Sequence, residues 1–144
     1  MARIKSINIS KKKGIQKFSV VSASLIVGKG IEGDAHAAPG DRQVSMLARE
    51  DIDAFCSGKI TIEDGAFAEN ITSEGIDLVS LTVGAKLRMG SAVVMVTKIG
   101  KECHTPCHIG RTMGWCVMPE RGIFVGVLEA GEIKVGDDIT VLSS

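Results

Sequence analysis

Hydrophobic residues alternate with polar ones over short stretches along most of this chain, and apolar runs of helical length are scarce. Ile4 to Ile9 and Phe18 to Val27 carry the period-two pattern of strands, joined by the basic loop Lys11-Lys12-Lys13-Gly14. Arg42 to Leu47 reads as a short strand feeding a helix at Ala48 to Phe55, whose acidic first turn (Glu50, Asp51, Asp53) suits the helix dipole. Gly65 to Thr72 is a further strand, and Ser73 to Leu81 a turn or a single helical turn. Val83 to Met89, a Gly90-Ser91 turn and Ala92 to Ile99 predict a hairpin with a buried second strand. Gly122 to Glu129 alternates again, and Ala130-Gly131 turns the chain into Ile133 to Leu142. The fragments starting at Val83 and Val135 are alike (VGAKL, VGDDI), one turn-into-strand solution used twice.

Composition sharpens that pattern. The chain of 144 residues has the size of one domain, residues 1–144. It holds 14 valines and 16 isoleucines against 7 leucines, and β-branched side chains suit pleated surfaces. Its 17 glycines punctuate many tight turns. The expectation is a mainly β protein, a closed or partly closed barrel of about seven to nine strands with one or two short helices, since closure removes exposed sheet edges.

Charge excludes partners. Seventeen basic residues balance 17 acidic ones, which argues against a nucleic-acid binder or a polybasic membrane-surface protein. With 3% aromatics and no tyrosine, stacking platforms are not expected. No stretch reads as a targeting signal or a membrane span, so a cytoplasmic setting is expected, with Cys56, Cys103, Cys107 and Cys116 as reduced thiols.

Candidate chemistry gathers in four places. Gly28-Lys29-Gly30-Ile31-Glu32-Gly33 has the spacing of a dinucleotide fingerprint but no following helix, so its glycines are read as positive-φ loop positions in an irregular segment from Gly28 to Asp41. Asp34, His36, Arg42 and Gln43 crowd a strand entrance, where the Arg42 fork suits a phosphate or carboxylate. Glu69 and Asn70 sit together in an apolar stretch. A buried carboxylate is costly alone, so Glu69 should meet a cation such as Arg42 or a ligand donor, or close the barrel end in an ion pair. Lys101 to His108 is the densest cluster, and there Cys103, beside Lys101 and His104, is favoured for thiolate chemistry. A second reading from the same stretch is a zinc- or thiol-based module in which Cys103, Cys107 and Cys116, with His104 or His108, hold zinc structurally and no cofactor is bound, or in which Cys103 and Cys107 form a thiol–disulfide switch. Cys56 and Cys116 also suit small core positions.

In order along the chain, Gly33-Asp34-x-His36, Arg42-Gln43-Val44-Ser45, Gly65-x-Phe67-x-Glu69-Asn70-Ile71-Thr72, Gly75-Ile76 and a cysteine after the long strand resemble the MOSC domain, the module at the C-terminus of molybdenum cofactor sulfurases. The resemblance runs from about Arg3 to Leu142. It implies a β-barrel that binds molybdenum cofactor (molybdopterin) near a functional cysteine, here Cys103, as metal ligand or persulfide carrier. Asp34, His36, Arg42, Glu69, Asn70 and Lys101 would line the cofactor site, with Arg42 and Lys101 on the terminal phosphate and Glu69 and Asn70 on the pterin edge. Sulfur transfer or a molybdenum-dependent reaction is the activity implied, and a cysteine desulfurase or a molybdoenzyme the partner. The family's Pro-Arg-x-Pro-Cys pattern is replaced by Ile99-Gly100-Lys101-Glu102-Cys103, which leaves anion recognition to Lys101 or Arg42.

Overall fold

A computed structural model describes residues 2–10, 18–34, 43–56, 69–99 and 122–143. Among them are eleven strands, one α-helix and one short 3-10 helix, so the fold is mainly β. The strands are β1 (Arg3–Ile9), β2 (Phe18–Val20), β3 (Ser22–Ile26), β4 (Gly30–Ile31), β5 (Val44–Ala48), β6 (Ile71–Glu74), β7 (Lys86–Met89), β8 (Ala92–Ile99), β9 (Ile123–Glu129), β10 (Gly131–Lys134) and β11 (Ile139–Ser143). The helix α1 is Arg49–Cys56 and follows β5 directly; the 3-10 turn is Leu78–Ser80.

Eight strands form one sheet in the order β11-β7-β8-β9-β5-β6-β1-β2, and three form a second, β10-β3-β4. All pairs are antiparallel except β5 with β6. The large sheet curls until β1 meets the chain entering β11 at a single bridge, Arg3 with Asp138, flanked by Ile4 N to Asp137 O (2.8 Å) and Ile139 N to Ala2 O (2.9 Å). No continuous ladder joins these two limbs among the described residues, so of the closed or partly closed barrel expected from the sequence the mainly β fold is observed and closure into a barrel is not.

The stretch Phe18 to Val27, expected as one strand, is two. β2 pairs with β1 and β3 pairs with β10, so the chain changes sheets at Val21. Ile133 to Leu142 is likewise cut, by a turn in which Asp137 N reaches Lys134 O (3.0 Å) and Lys134 N reaches the Asp137 carboxylate (2.8 Å). The two look-alike fragments do use one solution, since Gly84 and Gly136 take nearly the same positive φ (98° and 94°) and each precedes a strand.

The core fills one face of the curled sheet. Ile4, Ile7, Met46, Ile71, Leu87, Met89, Val94, Val96, Ile123 and Val125 are all inaccessible to solvent. Burying each such side chain contributes roughly 1.5–3 kcal/mol. On β5 the residues of this face are Val44, Met46 and Ala48, leaving Ser45 and Leu47 on the other. That second face is also buried but largely polar, and it positions the candidate site.

Candidate functional site

The site grows from the point where β1 ends and β5 and β6 begin. Glu69 and Asn70 were expected inside a strand; they lie immediately before β6, while residues 57–68 fall outside the described ones. Both are buried, Glu69 completely. Asn70 joins four segments through its carboxamide. Its Oδ1 accepts from Ser45 N (3.0 Å) and Ser45 Oγ (3.1 Å), and its Nδ2 donates to Asn8 O (3.2 Å) and to the Asp34 carboxylate (3.0 Å). Two acceptor and two donor positions are the whole capacity of that group. The Asn70 side chain is therefore fully engaged in binding the fold together.

Asp34, at the end of the turn after β4, accepts from Ser10 N through its other oxygen (3.0 Å). It thus ties the tail of β1 to the head of β6. Asn8 is used as completely as Asn70. Its Oδ1 accepts from Ser6 Oγ (2.6 Å) and Ser19 Oγ (3.0 Å), and its Nδ2 donates to Glu69 O (3.2 Å) and Thr72 Oγ1 (3.1 Å). Thr72 Oγ1 in turn donates a hydrogen bond to the Glu69 carboxylate (2.9 Å). A continuous relay runs from Ser6 to Glu69, which is how a fully buried carboxylate is tolerated.

Side chains also replace main-chain partners on both flanks of the first residues of β5. Towards β6, Ser45 N finds the Asn70 carboxamide, and Asn70 N answers to Ser45 Oγ (2.9 Å) and Ser45 O (3.0 Å). Towards β9, the ladder stops at Val44 with Val125, and the next inward N–H, that of Val127, donates to the Gln43 carboxamide (3.0 Å). Gly30 makes room for this junction. It has φ +116°, and a Cβ there would lie 2.4 Å from Gln43 O, so only glycine fits. Gly28 and Gly33 also have positive φ, as expected, and the glycine run lies in the β3–β4 hairpin rather than between a strand and a helix.

Of the residues singled out from the sequence, the structure thus unites Asp34, Glu69 and Asn70. His36, Arg42, Lys101, Cys103, His104, Cys107, His108 and Cys116 lie outside the described residues, as does the Gly65–Ala68 part of the expected strand. The chain leading to Lys101 and Cys103 leaves from Ile99, which pairs with Ile123; Ile123 pairs with Met46 and Met46 with Ile71. Ile99 is therefore in the same cross-strand row as the residue after Asn70, three strand spacings away, or at most about 14 Å. Among the described residues no three of His, Cys, Asp and Glu are grouped so as to hold a metal ion. None of their helices is long and apolar enough to cross a membrane.

Sequence reasoning missed Asn8 and Ser10, and it took in Ser45 and Thr72 only as members of the family motifs, with no role at the site. The signal was weak, because Ser6 and Asn8 in β1 and Ser10 just past its end alternate like an ordinary solvated face. One polar atom in the cluster has no partner: the Ser10 hydroxyl, on a residue with no exposed surface. Such an atom costs roughly 1–3 kcal/mol unless something supplies a hydrogen bond.

Comparison with known proteins adds three solved structures that superpose on nearly the whole chain. The YuaD protein from Bacillus subtilis matches with a TM-score of 0.83 at 19% identity, covering 99% of this chain and 96% of that one. YiiM from Geobacillus stearothermophilus gives 0.76 at 21% identity, with 99% and 76% covered. YiiM from Escherichia coli gives 0.68 at 17%, with 99% and 70% covered. At these identities the likeness is one of fold. No curated protein sequence matches significantly. The model of the MOSC domain matches residues 32–140. Since that match takes in every strand from β5 to β10, the helix and the three residues Asp34, Glu69 and Asn70, this chain belongs to the MOSC domain family.

Proposed function

We propose that this MOSC domain holds a molybdopterin-type cofactor at the junction of β1, β5 and β6, with Cys103 as the sulfur that ligates molybdenum or carries a transferable sulfur atom. The observation that supports this reading is the buried polar seam itself. Two carboxylates and two carboxamides are locked in place where three strands and the β4 turn converge. Locking of this kind prepares a surface for a ligand, because supporting hydrogen bonds fix it before binding.

The residues present fit such a group. Its pterin portion is a planar heterocycle rich in donors and acceptors, and hydroxyl and carboxylate groups held in place by the two engaged carboxamides suit it, the unpartnered Ser10 hydroxyl included. Arg42, one residue before Gln43, and Lys101, two past Ile99, would hold the terminal phosphate by charge-assisted hydrogen bonds. Asp34, Glu69 and Asn70 serve as frame: Asn70 has no remaining hydrogen-bonding position, so it acts on a ligand through Asp34. His36, two residues after Asp34 in the sequence, would add an imidazole to the rim. A molybdenum centre, when bound, supplies oxygen-atom or sulfur chemistry; the chain orients it and offers one thiolate.

The direct test is titration of the purified protein with molybdopterin, following the fluorescence of Trp115, the sole tryptophan. Saturable quenching is expected, weakened about 10-fold or more in Arg42→Ala, because a hydrogen bond to a charged group contributes roughly 1.5–3 kcal/mol. No saturable change in the wild type would overturn the reading. Incubation with a cysteine desulfurase and free cysteine, read by mass spectrometry, separates the two uses of Cys103. One added sulfur at that residue identifies a carrier, and its absence a ligand only.

A further inference from the structure

A sheet ends in edge strands, and among the described residues the two sheets have four: β11 and β2 on the large one, β10 and β4 on the small one. An edge offers unpaired N–H and C=O groups to any other strand, so soluble proteins shorten, cover or charge it. β2 has three residues and β4 two. β10 is covered by the Gly90-Ser91 turn, where Glu132 N donates to Ser91 Oγ (2.9 Å) and Ser91 N to Glu132 O (3.3 Å). β11 is neither short nor charged: it runs five residues, and Ile139 to Ser144 contains no charged residue and no proline.

Nor is β11 covered beyond its first residue. Ile139 N donates to Ala2 O (2.9 Å), so the Ile139 main chain points away from β7; Thr140 then faces β7, and Val141 faces outward again. β1 starts at Arg3, and among the described residues no strand pairs with the outward N–H and C=O of Val141. The side chains are open too. Val141 is 44% exposed although it pairs with the fully buried Leu87, and Leu142 is 46% exposed. Leu142 has no partner on β7, because the register shifts between Val141 and Ser143.

We propose that β11 is a dimerisation edge, which pairs antiparallel with β11 of a second copy of this chain across a two-fold axis. The outward groups of Val141 call for an extended strand, and an uncharged strand fits its own copy because no like charges meet. Antiparallel pairing of one strand with itself closes at two chains. Pairing β11 with β2 would instead propagate, and β2, three residues long and preceded by Lys17, offers little for it. Only Val141 to Ser143 is open, so the dimer is weak and forms with concentration.

Sedimentation equilibrium up to about 500 µM, with residue-resolved amide exchange at low and high concentration, tests this. Wild type should associate reversibly to two chains. The Val141 amide should exchange at least about 5-fold more slowly at high concentration, while that of Ile139, already bonded to Ala2, does not change. Leu142→Lys should raise the dissociation constant about 10-fold or more by setting two like charges against each other. Val27→Lys, on an apolar residue in the β3–β4 turn that is 55% exposed, should associate as wild type. A single-chain mass throughout, growth beyond two chains, a Val141 amide indifferent to concentration, or equal weakening by the two lysine variants overturns the assignment. The exchange result needs no variant, so it decides the matter even where a substitution disturbs folding.

Discussion

The two faces of the β1–β6–β5 segment are both dry, yet they are built from opposite materials. One presents Ile4, Ile7, Ile71, Val44 and Met46 to the core; the other presents Ser6, Asn8, Asn70, Thr72 and Ser45 to each other. The apolar face needs only volume and shape, and cores of that kind accept exchanges of similar size with small losses. The polar face needs each partner at one distance and angle, because removing one atom strands another away from water. Stability alone gives no reason for such a face, since well-packed hydrocarbon does as well or better. Fixed geometry at a ligand's edge does.

The comparison can be broken most sharply at Asn70. Asn70→Leu keeps the volume but strips partners from Ser45 N, Asn8 O and Asp34, and a loss of about 3–5 kcal/mol is expected in urea unfolding. A loss under about 1 kcal/mol would show that the network is ornamental. On the apolar face, Met46→Ala should cost about 2–4 kcal/mol by leaving a cavity, while Met46→Leu stays within about 1.5 kcal/mol. Polar and apolar faces then differ in tolerance, with the conservative change harmless on one and severe on the other. Gly30→Ala tests the junction between them. Its Cβ would meet Gln43 O at 2.4 Å with φ at +116°, and a loss of about 2 kcal/mol or more is expected in the same assay. The smallest effect belongs to the exposed pair of Arg3 with Glu74. Arg3→Met should shift stability by no more than about 1 kcal/mol, and less in high salt.

Legibility in the sequence divides along the same line. The hairpin of β7 and β8 was plain, because alternation, a Gly90-Ser91 turn and a run of buried valines all point one way, and Ala92 to Ile99 falls where the pattern placed it. The helix after β5 was equally clear from its acidic start. Switches between sheets were invisible: nothing in Phe18 to Val27 says that pairing changes from β1 to β10 at Val21, since the partners are far apart in sequence. At the site, Glu69 and Asn70 stood out as polar residues in apolar company, and both are buried. Ser10 and Asn8 did not stand out, because a buried polar strand face and a solvated one have the same alternation. Only the three-dimensional partners tell them apart. The part given to Asn70 changed for a related reason, since a carboxamide's spare capacity is a property of its neighbours and not of its sequence context.

The account turns on one sulfur atom reaching the ligand that the polar seam is built to receive. X-ray absorption at the molybdenum edge, on protein loaded with mature cofactor, measures this directly in wild type and Cys103→Ala. The account predicts one fewer sulfur neighbour around molybdenum in the variant, or loss of the transferable sulfur where Cys103 is the carrier, while pterin fluorescence shows that the cofactor still binds. Identical sulfur coordination in the two proteins, together with equal sulfur transfer, would contradict it.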